Sequence, residues 1–176
     1  MEGAWNSVRE YILFLPIFFI IHDMEEIVGF NSFFQKNPWI FDKYPIITAP
    51  YKNLKTECFA LAVYEEFIPF FGLSLLAYFF SNKVLYALWM GLFLALTGHF
   101  VIHIAQSIII RRYIPSLITS IICLPVSIVI IIKCFQLTEI DFMFLGGVVA
   151  AILFMIVNLK FAHKLMHWAM HEPKKK

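Results

Sequence analysis

The sequence has few charged residues and no marked excess of either sign. Of its 176 residues, 61% are hydrophobic and 15% are charged, and the formal net charge is +2. A soluble domain carries about a quarter charged residues, so this composition predicts an integral membrane protein. Because no basic stripe with interleaved aromatic residues is present either, we expect no binding to nucleic acid.

Paired cysteines are also missing. Cys58, Cys123 and Cys134 lie singly in apolar stretches, where cysteine acts as a small hydrophobic side chain. Their spacing argues against a disulfide framework and against a cysteine-based zinc site. The N-terminus has no basic region ahead of its first apolar run, so we expect no removable signal peptide.

Long apolar runs make up most of the chain. A helix crosses the hydrocarbon core of a bilayer with about 20 mostly apolar residues. We therefore predict an all-α, polytopic membrane protein with a single domain, residues 1–176, built as a bundle of five transmembrane helices. The predicted spans are residues 8–30, 55–80, 84–110, 114–135 and 140–165, and residues 31–54 are predicted to form an interfacial loop.

The basic residues are distributed unevenly between the predicted loops. Most of the 14 lysines and arginines fall on one side of the membrane when the spans alternate in direction. Positive residues are enriched in cytoplasmic loops, so we predict an N-terminus outside the membrane and a C-terminus in the cytoplasm.

Ionisable residues occur within three of the predicted spans, at a similar depth. With a rise of 1.5 Å per residue, they lie roughly 10–17 Å from the predicted cytoplasmic face, which indicates a single site. They are His22, Asp23, Glu25 and Glu26 in the first span, Glu65 and Glu66 in the second, and His99 and His103 in the third.

The spacing of these residues supports a common site. Glu25 and Glu26 follow His22 by three and four positions, and His103 follows His99 by four, so each set projects from one helix face. Asp23 points about 100° away from its neighbour His22, and we leave it out of the predicted site.

Basic residues are absent at the depth of these acids. A carboxylate at the centre of a spanning helix costs about 2.5–3.5 kcal/mol, so either several of the acids are protonated or a cation neutralises them. Sets of histidines and carboxylates bind Zn²⁺, Fe²⁺ or Mn²⁺. Zinc is the expected metal, and a di-iron or manganese centre bridged by carboxylates is the alternative. The predicted metal ligands are His22, Glu25, Glu26, Glu65, Glu66, His99 and His103.

Two other interpretations of these residues stay open, namely polar packing between helices and a proton or ion pathway. A pathway would need polar residues in the outer halves of the helices, and the sequence has almost none there. Whether Asn158 and His163 of the fifth span join the site also stays open.

Two sequence blocks resemble the HXXEE family of small bacterial integral membrane proteins. The first is His22-Asp-Met-Glu25-Glu26, and the second is "HFVIHIAQSIIIRRYIPSLITS" at residues 99–120. The second block contains Arg112, Tyr113, Pro115 and Thr119, with Ser116 where the family pattern has glycine. The resemblance implies metal binding and a multi-pass location in a bacterial plasma membrane, and it says little about the reaction.

These observations predict a metal-dependent hydrolase that acts on a lipid or lipid-linked substrate at the cytoplasmic leaflet. Glu25 is the predicted proton acceptor, and Arg112 and Tyr113 are predicted to orient the substrate head group. Membrane lipids and a lipid-like substrate are the expected partners, and no oligomeric state is predicted. A di-iron or di-manganese membrane oxidoreductase is one alternative, and a small ion or metal transporter or metal-handling protein is another.

Overall fold

The computed structural model describes residues 8–171, and no strand occurs among them. The predicted all-α architecture is confirmed. The predicted domain of residues 1–176 extends beyond the described residues at both ends. The five long helices are α1 (Phe14–Lys36), α2 (Thr56–Phe79), α3 (Lys83–Ile110), α4 (Leu117–Leu137) and α5 (Phe142–His171). Two short helices, Trp39–Lys43 and Pro45–Thr48, and a 3₁₀ turn, Ala49–Tyr51, lie between α1 and α2.

Four of the described helices, α2 to α5, are long and apolar enough to cross a membrane, which is typical of a membrane protein. The prediction of five spans is therefore wrong for α1. Every 18-residue stretch of α1 contains Asp23, Glu25 and Glu26. Each ionised carboxylate costs about 2.5–3.5 kcal/mol at the centre of a bilayer, so three of them outweigh the apolar residues around them.

Helix α3 occupies the centre of the bundle. It packs most extensively against α5 and α4, while α1 packs against α2. Small residues allow the closest approach, because a Cβ atom on Gly91 would lie 2.5 Å from the carbonyl oxygen of Val148 in α5. The indole of Trp89 is fully buried and donates a hydrogen bond to the Ile12 carbonyl, which joins α3 to the segment before α1. These contacts bring the histidines of α3 beside α1.

The link between α3 and α4 has a special backbone. Arg111 ends α3 with φ 57°, and Ser116 precedes α4 with φ 89°. Side chains other than glycine adopt such positive φ angles rarely. Glycine would adopt the φ angle of Ser116 more readily than serine does. The link packs against α1 and contributes residues to the cavity described below.

Candidate metal centre

Four side chains from two helices converge in the interior of the bundle. His22 and Glu26 lie one turn apart on α1, and His99 and His103 lie one turn apart on α3. One nitrogen or oxygen atom from each of the four lies within 4.8 Å of the others. His22 is fully buried, and Glu26 and His103 are each 5% exposed. We refer to these four residues as the metal cluster.

The cluster is centred on one carboxylate oxygen. Glu26 Oε1 lies 2.9 Å from Nε2 of His103, 3.7 Å from Nε2 of His22 and 3.8 Å from Nε2 of His99. The Nε2 atoms of His99 and His103 are 2.8 Å apart. Ligand atoms around a tetrahedral zinc ion, each about 2.1 Å from the metal, are separated by about 3.4 Å. Some of the observed separations are shorter than this value and others are longer. Small shifts of the side chains would therefore place all four atoms at ligand distance from one metal ion.

One of these atoms has unused hydrogen-bonding capacity. His22 Nε2 is buried without a hydrogen-bond partner, and leaving a buried polar atom unpaired costs free energy. Imidazole nitrogens with one carboxylate oxygen form a donor set suited to Zn²⁺, Fe²⁺ or Mn²⁺. The residues therefore fit a divalent transition-metal ion, although they do not identify which one.

The tautomer of His22 is fixed by a chain of hydrogen bonds. The Thr119 hydroxyl has a single proton, which it donates over 2.7 Å to Oε2 of Glu25. The same hydroxyl lies 3.1 Å from Nδ1 of His22, so Nδ1 must be the donor in that contact. With its proton on Nδ1, His22 presents a lone pair at Nε2 toward the cluster. Metal-binding histidines are oriented by outer partners in this way.

Glu25 lies outside the cluster, although the sequence predicted it as a ligand and a base. Its carboxylate accepts four hydrogen bonds, which occupy the lone-pair positions of its two oxygens. The donors are the Tyr113 hydroxyl at 2.6 Å, the Thr119 hydroxyl at 2.7 Å, and the backbone N–H groups of Thr119 at 2.8 Å and Ile118 at 3.3 Å.

The position of Glu25 corresponds to that of a helix cap. Ser116 makes no side-chain cap hydrogen bond at the N-terminus of α4, and Glu25 of α1 satisfies two backbone N–H groups there instead. A negative charge at this position also interacts favourably with the helix dipole. Burial and the hydrogen bond to Glu25 raise the pKa of Tyr113 to about 12, so the Tyr113 hydroxyl stays protonated and remains a donor.

The two acids of α2 have different environments. Glu65 accepts a hydrogen bond from the Asn158 side chain at 3.2 Å and does not belong to the cluster. Oε1 of Glu66 is buried without a hydrogen-bond donor, and the charge of Glu66 interacts with that of Glu26. Glu66 is therefore a neighbour of the cluster, while Glu65 belongs to the contact between α2 and α5.

Asp23 is a buried neighbour of the cluster that the sequence analysis set aside. It is 5% exposed, and its charge interacts with those of Glu26 and Glu66. Its spacing from Glu26 is more informative about its position than its spacing from His22. Residues three positions apart share a helix face, which places Asp23 near the carboxylate of Glu26.

The fifth helix contributes no ligand atom to the cluster. Asn158 is bound to Glu65, and His163 Nε2 lies 3.5 Å from the hydroxyl of Tyr51. The ring of Tyr51 also stacks on Phe34. Sequence reasoning did not single out Tyr51, because an interfacial tyrosine carries no spacing signal that would relate it to a helix of the bundle.

Comparison with known proteins identifies the chain at the level of its family. The family described as "protein of unknown function with HXXEE motif" matches residues 13–130. The chain belongs to the HXXEE family. The part that matches includes the whole metal cluster and also Glu25 and Thr119. No curated protein and no solved structure gives a significant match.

The structure gives each polar letter of the HXXEE motif a separate position. His22, the first letter, and Glu26, the last, belong to the metal cluster. Glu25, the fourth letter, faces α4 and orients Thr119, which in turn contacts His22. In this HXXEE protein, the two adjacent glutamates thus point to different neighbours, one inside the cluster and one behind it.

Proposed function

We propose that this HXXEE protein is a metal-dependent membrane enzyme, and that it hydrolyses a lipid or lipid-linked substrate. The observation that carries the proposal is the convergence of three imidazole nitrogens on one buried Glu26 oxygen, inside a bundle of apolar helices. Zinc is the metal we expect, since it accepts this donor set and supports hydrolysis.

The exposure of the cluster supports a substrate that comes from the lipid phase. The side chain of His99 is 38% exposed, whereas the other three members are buried. On α3, His99 lies beside exposed Gly98 and three positions before Ile102, which is 54% exposed. The surface next to His99 is therefore apolar and belongs to a candidate membrane span, so a lipid could reach His99 from the bilayer.

The residues around the cluster have distinct parts in the proposed reaction. A bound divalent metal supplies Lewis acidity, which activates water and polarises a carbonyl or phosphoryl oxygen. Glu66 is our candidate for the proton acceptor in place of Glu25, since its buried Oε1 has no donor. As the water oxygen bonds to carbon or phosphorus, Glu66 takes a water proton and later returns it to the leaving oxygen.

Isotope labelling tests the proposed reaction. The purified protein is loaded with Zn²⁺ and incubated with the total lipid extract of its expression host in H₂¹⁸O. We expect products that carry one ¹⁸O atom for each cleaved bond, and their loss in His103→Ala and Glu66→Gln. Glu65→Gln is the matched control and keeps the activity. The absence of any labelled product from the metal-loaded protein would contradict the enzyme proposal.

A second candidate function is favoured by the acids beside Glu26. Asp23 and Glu66 together with Glu26 supply three carboxylates, and carboxylate-rich clusters in helical bundles hold pairs of iron or manganese ions. A di-iron or di-manganese oxidoreductase would contain two metals per chain. It would also form no ¹⁸O-labelled cleavage product in H₂¹⁸O, which separates it from the hydrolase.

A further inference from the structure

A cavity with a volume of about 570 Å³ lies between α1 and the link that joins α3 to α4. On α1 it begins at Val28 and Gly29, about one helical turn after Glu26, and it continues to Asn37. The link contributes Arg112, Tyr113 and Pro115. Cavities of this size hold small molecules and lipid head groups, and none of the four cluster residues lines this one.

Two positively charged side chains line the cavity. They belong to Lys36 and Arg112, and both are exposed. No acidic residue is among the lining residues, and the ion pairs found within residues 8–171 involve neither of these two cations. Arginine and lysine with free donors form charge-assisted hydrogen bonds with phosphate. The cavity therefore favours an anionic group beside these side chains.

Val28 gives the cavity an apolar lining residue that faces outward. It is 79% exposed although it is a large hydrophobic residue. The link itself lies where two candidate membrane spans, α3 and α4, come to an end. That position corresponds to the level of the lipid head groups. An occupant with a charged head and an apolar tail matches both the cations and the apolar residue of this lining.

We propose that this cavity binds the phosphate of an anionic membrane lipid, with Lys36 and Arg112 at the phosphate and an acyl chain along Val28. Binding of the lipid does not depend on the metal. That the bound lipid is also the substrate rests on the proposed function. Tyr113 connects the two sites, because it lines the cavity and donates a hydrogen bond to Glu25.

The test is a binding titration on the full-length protein in detergent, followed by native mass spectrometry. The probes are phosphatidylglycerol, phosphatidylcholine, diacylglycerol and inorganic phosphate. We expect phosphatidylglycerol to bind most tightly, and Arg112→Gln to weaken its binding by about tenfold, the loss of one charge-assisted contact. Lys36→Gln is expected to weaken binding in the same direction. Arg111→Gln, the adjacent arginine that does not line the cavity, is the control and stays within about twofold.

Other results of the titration would overturn parts of this proposal. Equal effects of Arg111→Gln and Arg112→Gln, or equal binding of phosphatidylglycerol and diacylglycerol, would overturn the phosphate site. Inorganic phosphate that binds as tightly as phosphatidylglycerol would overturn the lipid as occupant. The titration is repeated after chelation of metals, and unchanged lipid binding is expected. A failure of the metal proposal would then leave this result intact, so the two proposals fail separately.

Discussion

At the scale of single residues, His22 has a separate partner for each ring nitrogen. Nδ1 contacts the Thr119 hydroxyl, and Nε2 faces the carboxylate of Glu26. The orientation of the ring therefore depends on Thr119, a residue that does not belong to the cluster itself. Outer partners of this kind tune the affinity of a metal-binding histidine.

The prediction at Thr119 follows from this arrangement. Thr119→Val keeps the shape of the side chain but removes the hydroxyl, so His22 is no longer held in one tautomer. We expect zinc affinity, measured by competition with a chromogenic chelator, to fall about 10- to 100-fold. The control is Thr97→Val, which removes a buried hydroxyl bound to the Phe93 carbonyl within α3. Wild-type zinc affinity in Thr119→Val would contradict the orienting role of Thr119.

At the scale of elements, the contact between α1 and the α3–α4 link positions both the cap and the cavity. Gly29 makes this contact possible, since a Cβ atom there would lie 2.5 Å from Cβ of Pro115. Glu25 at the N-terminus of α4 depends on the same close approach. A change in the distance between α1 and the link would therefore displace both Tyr113 and Thr119.

Gly29→Ala tests this contact. The added methyl group forces α1 and the link apart, and overpacking of this kind destabilises a protein by about 1–3 kcal/mol. We expect a lower melting temperature in detergent and weaker zinc binding. Gly72→Ala in α2 is the control, because its Cβ would meet nothing within 4 Å and alanine favours a helix. If both variants melt at or above the wild-type temperature, the close contact is not important for stability.

The carboxylate of Asp141, just before α5, is expected to stabilise the fold in a pH-dependent way. Asp141 accepts hydrogen bonds from Lys83 and from the backbone N–H of Phe144, and the first of these chiefly holds the pKa of Asp141 below its ordinary value of 3.8. A lowered pKa in the folded state means that the stabilisation is present above the ordinary value and is lost as the pH falls through the folded one.

The measurement is the melting temperature of wild type and Asp141→Asn between neutral pH and about pH 3, just below the ordinary aspartate pKa. We expect the variant to melt lower than wild type at neutral pH, and this difference to shrink as the pH falls below 4. A difference that stays constant over the whole range would show that ionised Asp141 does not stabilise the start of α5.

At the scale of the whole molecule, the distribution of lysine and arginine predicts the orientation of α2 to α5. If these helices alternate in direction, the positive residues predict that the α2–α3 link is outside and the α3–α4 link is in the cytoplasm. The metal cluster would then lie in the cytoplasmic half, because His99 and His103 are closer to the end of α3 than to its start.

Cysteine labelling in intact cells tests the orientation. Ser81→Cys in the α2–α3 link and Arg111→Cys in the α3–α4 link are both at exposed positions, and the three native cysteines are buried. With a membrane-impermeant maleimide, we expect labelling of Ser81→Cys in intact cells and of Arg111→Cys only after permeabilisation. The reverse pattern would place the cluster in the outer half.

Hydropathy and helical spacing predicted much of this architecture. The apolar runs of α2 to α5 are long enough to determine these helices whatever their tertiary contacts. The observed helices differ from the predicted spans only at their ends. The assignment of α1 as a span failed because every 18-residue stretch of this helix contains three acids, whose cost was expected to be removed by neutralisation. Spacing also identified all four cluster residues, since residues one turn apart share a helix face.

The difference between Glu25 and Glu26 could not be found in the same way. Both lie about one turn from His22, so spacing treats them alike. What separates them is the N-terminus of α4, where the backbone N–H groups of Ile118 and Thr119 bind Glu25. Position in the sequence contains no information about that approach, which depends on how α1 packs against a helix about 90 residues later.

Elemental analysis of the purified protein tests the metal centre most directly. We predict about one divalent transition-metal ion per chain in the wild type, and its loss in both His22→Ala and His103→Ala. His163→Ala is the matched control, since His163 contacts Tyr51 and lies outside the cluster, and it should retain the metal. A wild-type protein that contains no metal after purification and reloading, or metal that persists unchanged in His22→Ala and His103→Ala, would contradict the account.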